Sequence, residues 1–286
     1  MQKPVTEVIR QRFSCRTFVD QPIDDERQHR LTEFLAANRV GPLGTKARFA
    51  LAAATPGDQE ALRGLGTYGF IKGATGFIIG AAERAPKDLE DYGYLMEHAI
   101  LFATDLGLGT CWLGGTFSKS RFAGKIKVRR DETMPAVTAI GIIAQGPQTR
   151  DWIRERAKGT DRLPAEQLFF SQQFGQPLPP AVAGAYAAPL EALRWAPSAS
   201  NKQPWRVVRT ENAFHFHLAR TPGYGKGSLL FSLLRLTDLQ RVDLGIAMCH
   251  FELTARELGL AGRWVIEDPN LAKPNDRTEY IVSWIG

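Results

Sequence analysis

Hydrophobic residues recur at helical spacing in two stretches of this chain, and each stretch ends at a glycine. In the first stretch the apolar positions follow the pattern i, i+3, i+4 and i+7, which predicts a helix with a wide apolar face. These positions are Leu95, Met96, Ala99, Ile100, Phe102, Ala103 and Leu106. Gly107 follows the first stretch and Gly259 the second, at the place where a left-handed C-terminal cap is typical. We therefore predict two core helices, each of which stops at its glycine.

The two stretches are also similar in sequence. Asp91 to Leu113 reads DYGYLMEHAILFATDLGLGTCWL, and Asp243 to Val265 reads DLGIAMCHFELTARELGLAGRWV. Aligned without a gap, ten of the 23 positions are identical, whereas ordinary composition gives about one or two identities by chance. The chain is therefore predicted to be a tandem duplication. His98 and His250 hold equivalent positions in the two helices, and we interpret them as packing residues that both copies kept.

A short apolar segment follows each helix and predicts a strand. AVTAIGIIAQG spans Ala136 to Gly146, and EYIVSWIG spans Glu279 to Gly286. Both halves therefore share an order of helix, loop, helix and strand. The expected halves are residues 1–165 and 166–286. FGQPLPPAVAG, from Phe174 to Gly184, is rich in proline and glycine and is predicted to be a linker or crossover.

Composition narrows the class of protein. A chain of 286 residues with 44% hydrophobic and 23% charged residues is typical of a globular protein with a substantial core. It shows no apolar run near the roughly 18 residues of a membrane span and no signal peptide, so we expect a cytoplasmic protein without membrane contact. Three widely spaced cysteines predict neither a disulfide framework nor a metal site. The net charge of +6 comes from basic residues spread along the chain, so no nucleic-acid partner is expected.

The N-terminal sequence RQRFSCRTF carries polar residues at alternate positions. Arg12, Ser14 and Arg16, followed by Phe18, share one side of the segment if it is extended. Two guanidinium groups and a hydroxyl on one side suit an anion such as phosphate, because the planar fork of arginine donates paired hydrogen bonds. The alternative interpretation is an exposed strand edge whose polar residues face water.

The sequence GLGTCWLGG, Gly107 to Gly115, contains closely spaced glycines. It is not a dinucleotide-binding fingerprint, because its spacing differs and it follows a helix rather than a strand. The second copy keeps the cap glycine but has no counterpart of the pair Gly114 and Gly115. This difference favours a further role for the pair, whose backbone amides can approach a flat ligand closely. A helix cap followed by a tight strand entry is the alternative.

Together with APSASNKQPW, Ala196 to Trp205, these motifs carry a family resemblance. RFSCRTF, GLGTCWLGG, the strand ending IGIIAQG and APSASNKQPW resemble the nitroreductase family of FMN-dependent flavoenzymes that consume NAD(P)H. More narrowly, the chain resembles members in which two nitroreductase-like halves are fused. The resemblance implies the nitroreductase fold, an α+β fold with mixed β-sheets flanked by helices, duplicated here as an internal pseudo-dimer. It also implies FMN as cofactor, NAD(P)H as cosubstrate and a small-molecule electron acceptor as partner.

The resemblance also implies which residues bind FMN. Arg12, Ser14 and Arg16 are expected to hold the phosphate and ribityl chain, with Arg162 as a later phosphate-binding residue. Gly114 and Gly115 are expected to offer amides to the N5 and O4 edge of the flavin, and Lys72 to approach the pyrimidine edge. The remaining residues contact the isoalloxazine ring from the other half and form what we call the Pro-Ser loop: Pro197, Ser198, Ala199, Ser200 and Asn201.

Each half lacks what the other half keeps. Phe169 and Gln173 stand where we expect counterparts of Arg12 and Arg16, and the first half has no copy of the Pro-Ser loop. We therefore predict one FMN site per chain, built from both halves. The resemblance implies a site between two subunits, so we also predict a monomer, because the second half would replace the partner subunit.

The expected activity is hydride transfer from NAD(P)H through FMN to an electron-poor acceptor such as a nitroaromatic or a quinone. FMN carries the chemistry, so no side chain is expected to be a nucleophile or general base. Two alternatives stay open: a non-catalytic FMN-binding, storage or sensor module, and a flavin-dependent dehydrogenase of an organic substrate. His215 and His217 in FHFHL form a possible metal pair, but no third ligand is evident, so no metal is expected.

Overall fold

The computed structural model describes residues 1–54, 71–114, 119–144, 161–211, 213–223 and 237–286. The chain divides into two compact units, Met1–Thr160 and Asp161–Gly286. Residues 161–165, which the sequence-based division assigned to the first half, thus belong to the second unit.

The first unit contains one antiparallel sheet with helices. Its elements are α1 (Val5–Gln11), α2 (Asp25–Ala37), β1 (Ala47–Ala53), β2 (Gly76–Glu83), α3 (Asp88–Asp105), β3 (Leu108–Gly114), α4 (Lys119–Ile126), β4 (Glu132–Thr133) and β5 (Ala136–Ile142). The strand order is β1-β2-β5-β3, and the short β4 pairs with β2. All of these pairs are antiparallel.

The second unit contains a second five-stranded sheet. Its elements are α5 (Ala165–Leu168), β6 (Phe169–Ser171), α6 (Pro180–Ala183), α7 (Ala187–Arg194), β7 (Trp205–Arg209), β8 (Ala213–Ala219), α8 (Leu239–Glu257), β9 (Arg263–Val265) and β10 (Thr278–Ile285), with short 3-10 helices at Gly184–Tyr186 and Ala199–Asn201. The strand order is β6-β7-β8-β10-β9. β6 is parallel to β7, and the other pairs are antiparallel.

The two sheets repeat one plan. The order β1-β2-β5-β3 of the first unit matches β7-β8-β10-β9 of the second, and a long helix, α3 or α8, follows the second strand in each. Both helices were predicted from their apolar spacing and are confirmed. Gly107 and Gly259 follow them with φ of 77° and 72°, which confirms the predicted left-handed caps. The shared order supports a duplication.

Equivalent residues also pack in equivalent places. The His98 ring meets Phe34 of α2 edge to face, and the buried His250 bonds through Nδ1 to the carbonyl of Ala192 in α7. The packing interpretation of both histidines is therefore supported. The core of the second unit includes a cluster of aromatic rings, in which Phe251 of α8 meets Phe216 of the central strand β8 and Trp264 of the outer strand β9.

A buried carboxylate joins three parts of the first unit. Glu132 of β4 accepts two hydrogen bonds of 2.8 Å from Arg48 of β1 and one of 2.8 Å from the backbone N–H of Arg129. The bonds from Arg48 lower the pKa of Glu132 to about 2, against the opposing effect of burial. Arg48 also donates to the carbonyls of Ile126 and Lys127, so it ties the end of α4 to the sheet.

Several sequence-based expectations concern absences. Within the ranges that the structure describes, no helix is both long and apolar enough to cross a membrane. No three His, Cys, Asp or Glu side chains in those same ranges are grouped closely enough to hold a metal ion. The side chains of Cys15, Cys111 and Cys249 are buried, and no disulfide joins them.

Candidate functional site

The basic N-terminal segment lies across one end of the first sheet. Ser14 forms a parallel bridge to Thr110 near the start of β3, and Cys15 donates its N–H to the Thr110 carbonyl at 2.8 Å. Farther along, Phe18 bridges Ile143 just after β5, and Thr17 bridges Lys72 before β2. The segment therefore passes the start of β3, the end of β5 and the approach to β2 in turn.

Glycines let this segment approach the sheet closely. A Cβ added to Gly109 would stand 2.8 Å from Sγ of Cys15, and one added to Gly141 would stand 3.1 Å from the Phe18 ring. Gly73, with φ of 70°, faces the Phe18 carbonyl so closely that a Cβ could not fit. One glycine of GLGTCWLGG thus has a packing role that the sequence analysis missed, because its partner is distant in sequence.

The predicted single polar face holds only in part. Cys15 and Phe18 are both buried in the same hydrophobic cluster, although they are three residues apart. A regular strand would send them to opposite sides, so the segment forms isolated bridges rather than one strand. Phe18 is accordingly a core residue and does not continue the row of Arg12, Ser14 and Arg16.

Arg12 is part of a buried ion pair. Its Nε lies 3.6 Å from Oε1 of Glu97 in α3, and only 6% of the Arg12 side chain is exposed. The other carboxylate oxygen of Glu97 accepts a 2.7 Å hydrogen bond from the Trp112 indole of β3. Glu97 thus connects the end of α1 to β3, and Arg12 has a structural role that its motif did not predict.

The structure brings Arg16 and Lys72 together through their backbones. The N–H of Lys72 donates to the Arg16 carbonyl at 2.9 Å, and the Lys72 carbonyl accepts from the N–H of Phe18 at 2.9 Å. Lys72 is exposed and Arg16 is half-buried. Two of the predicted basic residues, 56 positions apart in the chain, therefore lie on adjacent backbone segments.

The predicted glycine pair lies toward the other end of β3. Gly114 is the last residue of that strand and pairs with Ala136. It is four residues beyond Thr110, about 13 Å at the usual rise of an extended strand. A ligand that contacts both Ser14 and Gly114 must therefore be elongated. Gly115 lies outside the described residues.

In the second unit, the Pro-Ser loop has an unusual backbone. Ser198 is extended, and then Ser200 and Asn201, with φ of 51° each, and Gln203, with φ of 48°, are left-handed. Left-handed backbone costs a residue other than glycine about 1 to 2 kcal/mol. Such a run persists only where the surroundings hold it, and strained backbone of this kind clusters at binding sites.

Hydrogen bonds from several elements hold the loop. Oγ of Ser198 accepts from the N–H of Gln203 at 2.9 Å, and the carboxylate of Asp243 in α8 accepts from the N–H of Ala199 at 2.9 Å. The buried Gln203 side chain accepts from the N–H of Leu163 at 2.9 Å, and the Asn201 amide donates to the carbonyl of Asp161 at 3.1 Å.

Arg162 belongs to this loop environment. Its guanidinium carbon lies 5.3 Å from the centre of the Trp195 ring, and Nη2 donates to the Trp195 carbonyl at 3.2 Å. The residues after it continue into β6, which pairs with β7. Residues 161–171 thus belong to the second unit, although the motifs in the sequence attached Arg162 to the first half.

The two strand histidines form a polar cluster of the second sheet. Nδ1 of His215 lies 2.7 Å from Oγ of Ser283, and Nδ1 of His217 lies 3.1 Å from the His215 carbonyl. Burial lowers the pKa of His217 to about 4, so this ring is neutral near pH 7. Hydrogen bonds and ring packing to Phe174 and Tyr280 account for the pair.

The chain is similar to known proteins in both sequence and structure. A family model described as "Putative TM nitroreductase" matches residues 4–255. The crystal structures of two proteins described as "putative nitroreductase" are also similar. One, from Thermotoga maritima, matches all of this chain and 94% of its own at 21% identity and a TM-score of 0.60. The other, from Desulfovibrio desulfuricans in complex with FMN, matches 55% of this chain and 96% of its own at 24% identity and a TM-score of 0.41. Among curated proteins there is no match.

Proposed function

Because the chain belongs to the nitroreductase family, we propose that it is an oxidoreductase that binds FMN and transfers hydride from NAD(P)H to an electron-poor acceptor, such as a nitroaromatic or a quinone. In this proposal each unit supplies some of the residues that bind one FMN per chain. The protein acts as a monomer in the cytoplasm.

The observation that carries the proposal is that the segment with Ser14 and Arg16 lies beside the start of β3 and is hydrogen-bonded to the backbone of Lys72. A guanidinium and a hydroxyl on one segment are a donor set that suits phosphate, and Lys72 adds a cation on the adjacent segment for the ring. Gly114, at the far end of β3, suits a second contact with the same ligand. FMN fits this spacing, because its phosphate and its ring are separated by the ribityl chain, whereas a compact anion reaches only one end.

Arg12 contributes in a different way from Arg16. Its charge is already opposed by Glu97 at 3.6 Å, so Arg12 adds less net positive charge to the site than its motif suggests. We assign it a supporting role, in which it fixes the start of the segment that carries Ser14 and Arg16. The net positive charge for the phosphate then comes chiefly from Arg16.

The Pro-Ser loop suits the flat ring of the cofactor. Its left-handed turn is held by hydrogen bonds to the Asp243 carboxylate and the Asp161 carbonyl, so the loop is preorganised before any ligand arrives. A preorganised loop loses little entropy on binding, which favours affinity. In this proposal Pro197 to Asn201 orient the ring, and Arg162, which packs on Trp195, supports the loop.

When bound, FMN would supply the hydride chemistry itself. The residues of this chain hold it, and a positive charge near the pyrimidine edge of the ring favours the reduced cofactor. Lys72 is the candidate for that charge. We expect Lys72→Ala to lower the flavin reduction potential, and an unchanged potential would eliminate this candidate.

The test begins with the purified protein. FMN fluorescence titration should give one FMN per chain, and Arg16→Ala and Asn201→Ala should each weaken binding by about tenfold or more, as the loss of a charged or well-placed hydrogen bond implies. Arg30→Ala on α2, which also removes one positive charge, is the control and should bind FMN normally. A ratio near two, or full affinity in both site variants, would refute the two-unit site.

Turnover then separates an enzyme from a binding module. The FMN-loaded protein should oxidise NADH or NADPH steadily when a quinone or a nitroaromatic is present. Tight FMN binding without turnover on either nicotinamide would refute the oxidoreductase and leave a storage or sensor module.

A further inference from the structure

Asp243 stands near the start of α8 and is 3% exposed. Its Oδ1 accepts the N–H of Ala199 in the Pro-Ser loop at 2.9 Å. Its Oδ2 is buried and has no hydrogen-bond partner among the residues that the structure describes. Buried carboxylate oxygens are nearly always hydrogen-bonded, so this oxygen needs an explanation.

The first unit provides a reference for this position. Asp91 aligns with Asp243 and likewise stands near the start of the long helix, α3. Both oxygens of Asp91 are used, because Oδ1 accepts the N–H of Leu43 and Oδ2 that of Thr45, each at 2.8 Å. An aspartate at this position thus holds the loop that precedes β1 in the first unit and the loop that precedes β7 in the second. Among the described residues, two backbone N–H groups bind it in the first unit, and one binds it in the second.

The two aspartates differ in the interactions that act on their pKa values. Burial raises the pKa of both aspartates, and in Asp91 the two N–H donors oppose the rise. For Asp243 burial raises the pKa well above its usual range, the single bond from Ala199 opposes it, and the nearby Asp238 adds to it. A carboxylic acid is compatible with the geometry, because in the part of the chain that the structure describes only Oδ1 is bound to an N–H donor and protonation of Oδ2 would break no hydrogen bond.

The backbone N–H that Asp243 binds lies just before the left-handed turn of the Pro-Ser loop. Ala199 directly precedes Ser200 and Asn201, the first two left-handed residues of the loop. Fixing the N–H of Ala199 fixes the direction from which the chain enters this turn. The other described bonds reach the loop at Ser198, Asn201 and Gln203, and none of those reaches Ala199 from another element.

We propose that Asp243 is a positioning residue for the Pro-Ser loop, a neutral carboxylic acid whose Oδ1 holds the N–H of Ala199 and so keeps Ser200 and Asn201 in the orientation that binds the flavin ring. The part of this statement that concerns the flavin rests on the proposed function. The part that concerns the loop does not.

The test compares an amide with an alkyl group at the same position. Asn keeps the accepting oxygen and replaces the protonated one, so Asp243→Asn should bind FMN within about twofold of the unmodified protein. Asp243→Leu has a similar volume but no acceptor, and it should weaken FMN binding about tenfold, as loss of one hydrogen bond implies. Asp91→Asn is the matched control for charge, because there the new amide faces a backbone donor, and it should lower the stability of the first unit.

A measurement without cofactor distinguishes the positioning role of Asp243 from the proposed FMN binding. Amide hydrogen exchange at Ala199 in the FMN-free protein should be faster in Asp243→Leu and unchanged in Asp243→Asn. If the unmodified protein binds no FMN but exchange follows this pattern, the proposed function fails and the positioning role stands. If Asp243→Asn loses protection at Ala199 or binds FMN as poorly as Asp243→Leu, or if Asp243→Leu behaves as unmodified protein, the positioning role by a neutral acid is overturned. Should Asp243→Leu fail to fold, Asp243→Asn still tests the proposal, because loss of protection at Ala199 in that variant would overturn it.

Discussion

The ion pair between Arg12 and Glu97 allows folding and cofactor binding to be separated by mutation. Replacing Arg12 with methionine removes the guanidinium but keeps an unbranched chain of similar length, and it leaves the Glu97 carboxylate, which is fully buried, without its countercharge. Loss of FMN binding in such a variant has two possible causes: a lost phosphate contact or a damaged first unit. A second substitution at Glu97 distinguishes them.

The magnitude follows from the geometry. At the 3.6 Å separation of Nε and Oε1, the Coulomb attraction is about 4 to 5 kcal/mol at an effective dielectric constant of about 20. Removing one partner of a buried pair usually costs about 3 to 5 kcal/mol, because an uncompensated charge stays buried. We expect Arg12→Met to lower the free energy of unfolding of the first unit by about 3 kcal/mol. The double variant Arg12→Met with Glu97→Gln should recover about 2 kcal/mol of this, since no buried charge remains and the glutamine oxygen still accepts from Trp112.

Urea unfolding followed by circular dichroism measures all four proteins of the cycle, including Glu97→Gln alone, and gives the coupling energy directly. FMN titration of the same four proteins gives the second readout. If Arg12 only supports the segment, the double variant should regain most FMN affinity together with its stability. If Arg12 contacts the phosphate, stability returns without affinity. A coupling energy near zero would refute the ion-pair reasoning itself.

Three further predictions concern pH and packing. The bonds from Arg48 hold the pKa of Glu132 at about 2, against an ordinary 4.5. The stability that this ionised carboxylate contributes is complete above pH 4.5 and is lost as the pH falls through about 2. In Glu132→Gln, the free energy of unfolding in urea should depend less on pH over that range. Burial holds the pKa of His217 at about 4, against an ordinary 6.5. Between these pH values the unfolded chain binds a proton that the folded chain does not, so the stability of the second unit should fall as the pH drops from 6.5 toward 4. In His217→Gln, the number of protons taken up on unfolding in this range should be lower by about one. Gly109→Ala should push the N-terminal segment away from the sheet and weaken FMN binding severalfold in fluorescence titration, whereas Gly124→Ala, which meets nothing within 4 Å, should not; equal affinity in the two variants would contradict the close-approach argument.

Much of the fold could be predicted because its signals are local. The apolar spacing of α3 and the glycine at 107 lie within one stretch of sequence, and both the helix and its left-handed cap are found. Strand order depends on contacts between distant residues, and periodicity carries no information about them. The parallel pairing of β6 with β7 is an example, since Phe169 meets Val207 only after a long intervening chain.

The candidate site divides in the same way. The motifs identify Arg12, Ser14 and Arg16, but the sequence does not show that Glu97 opposes the charge of Arg12, because the two residues meet only when α1 packs on α3. Asp243 was part of the aligned repeat from the start, yet its role depends on the contact with Ala199. A signal was available there: an acidic residue repeated near the start of two apolar helices is unusual for a core position, and this points to a fixed hydrogen-bond partner.

The left-handed turn after Ala199 also limits how this protein can change over time. At Ser200 and Asn201 only glycine, asparagine, aspartate and a few small polar residues adopt such a backbone at modest cost, and β-branched side chains are effectively excluded. The backbone therefore confines substitution at these two positions to a small set of amino acids, in addition to any constraint from side-chain contacts. A change in ligand preference would therefore come more readily from substitutions elsewhere in the chain, at positions where the backbone accepts most amino acids.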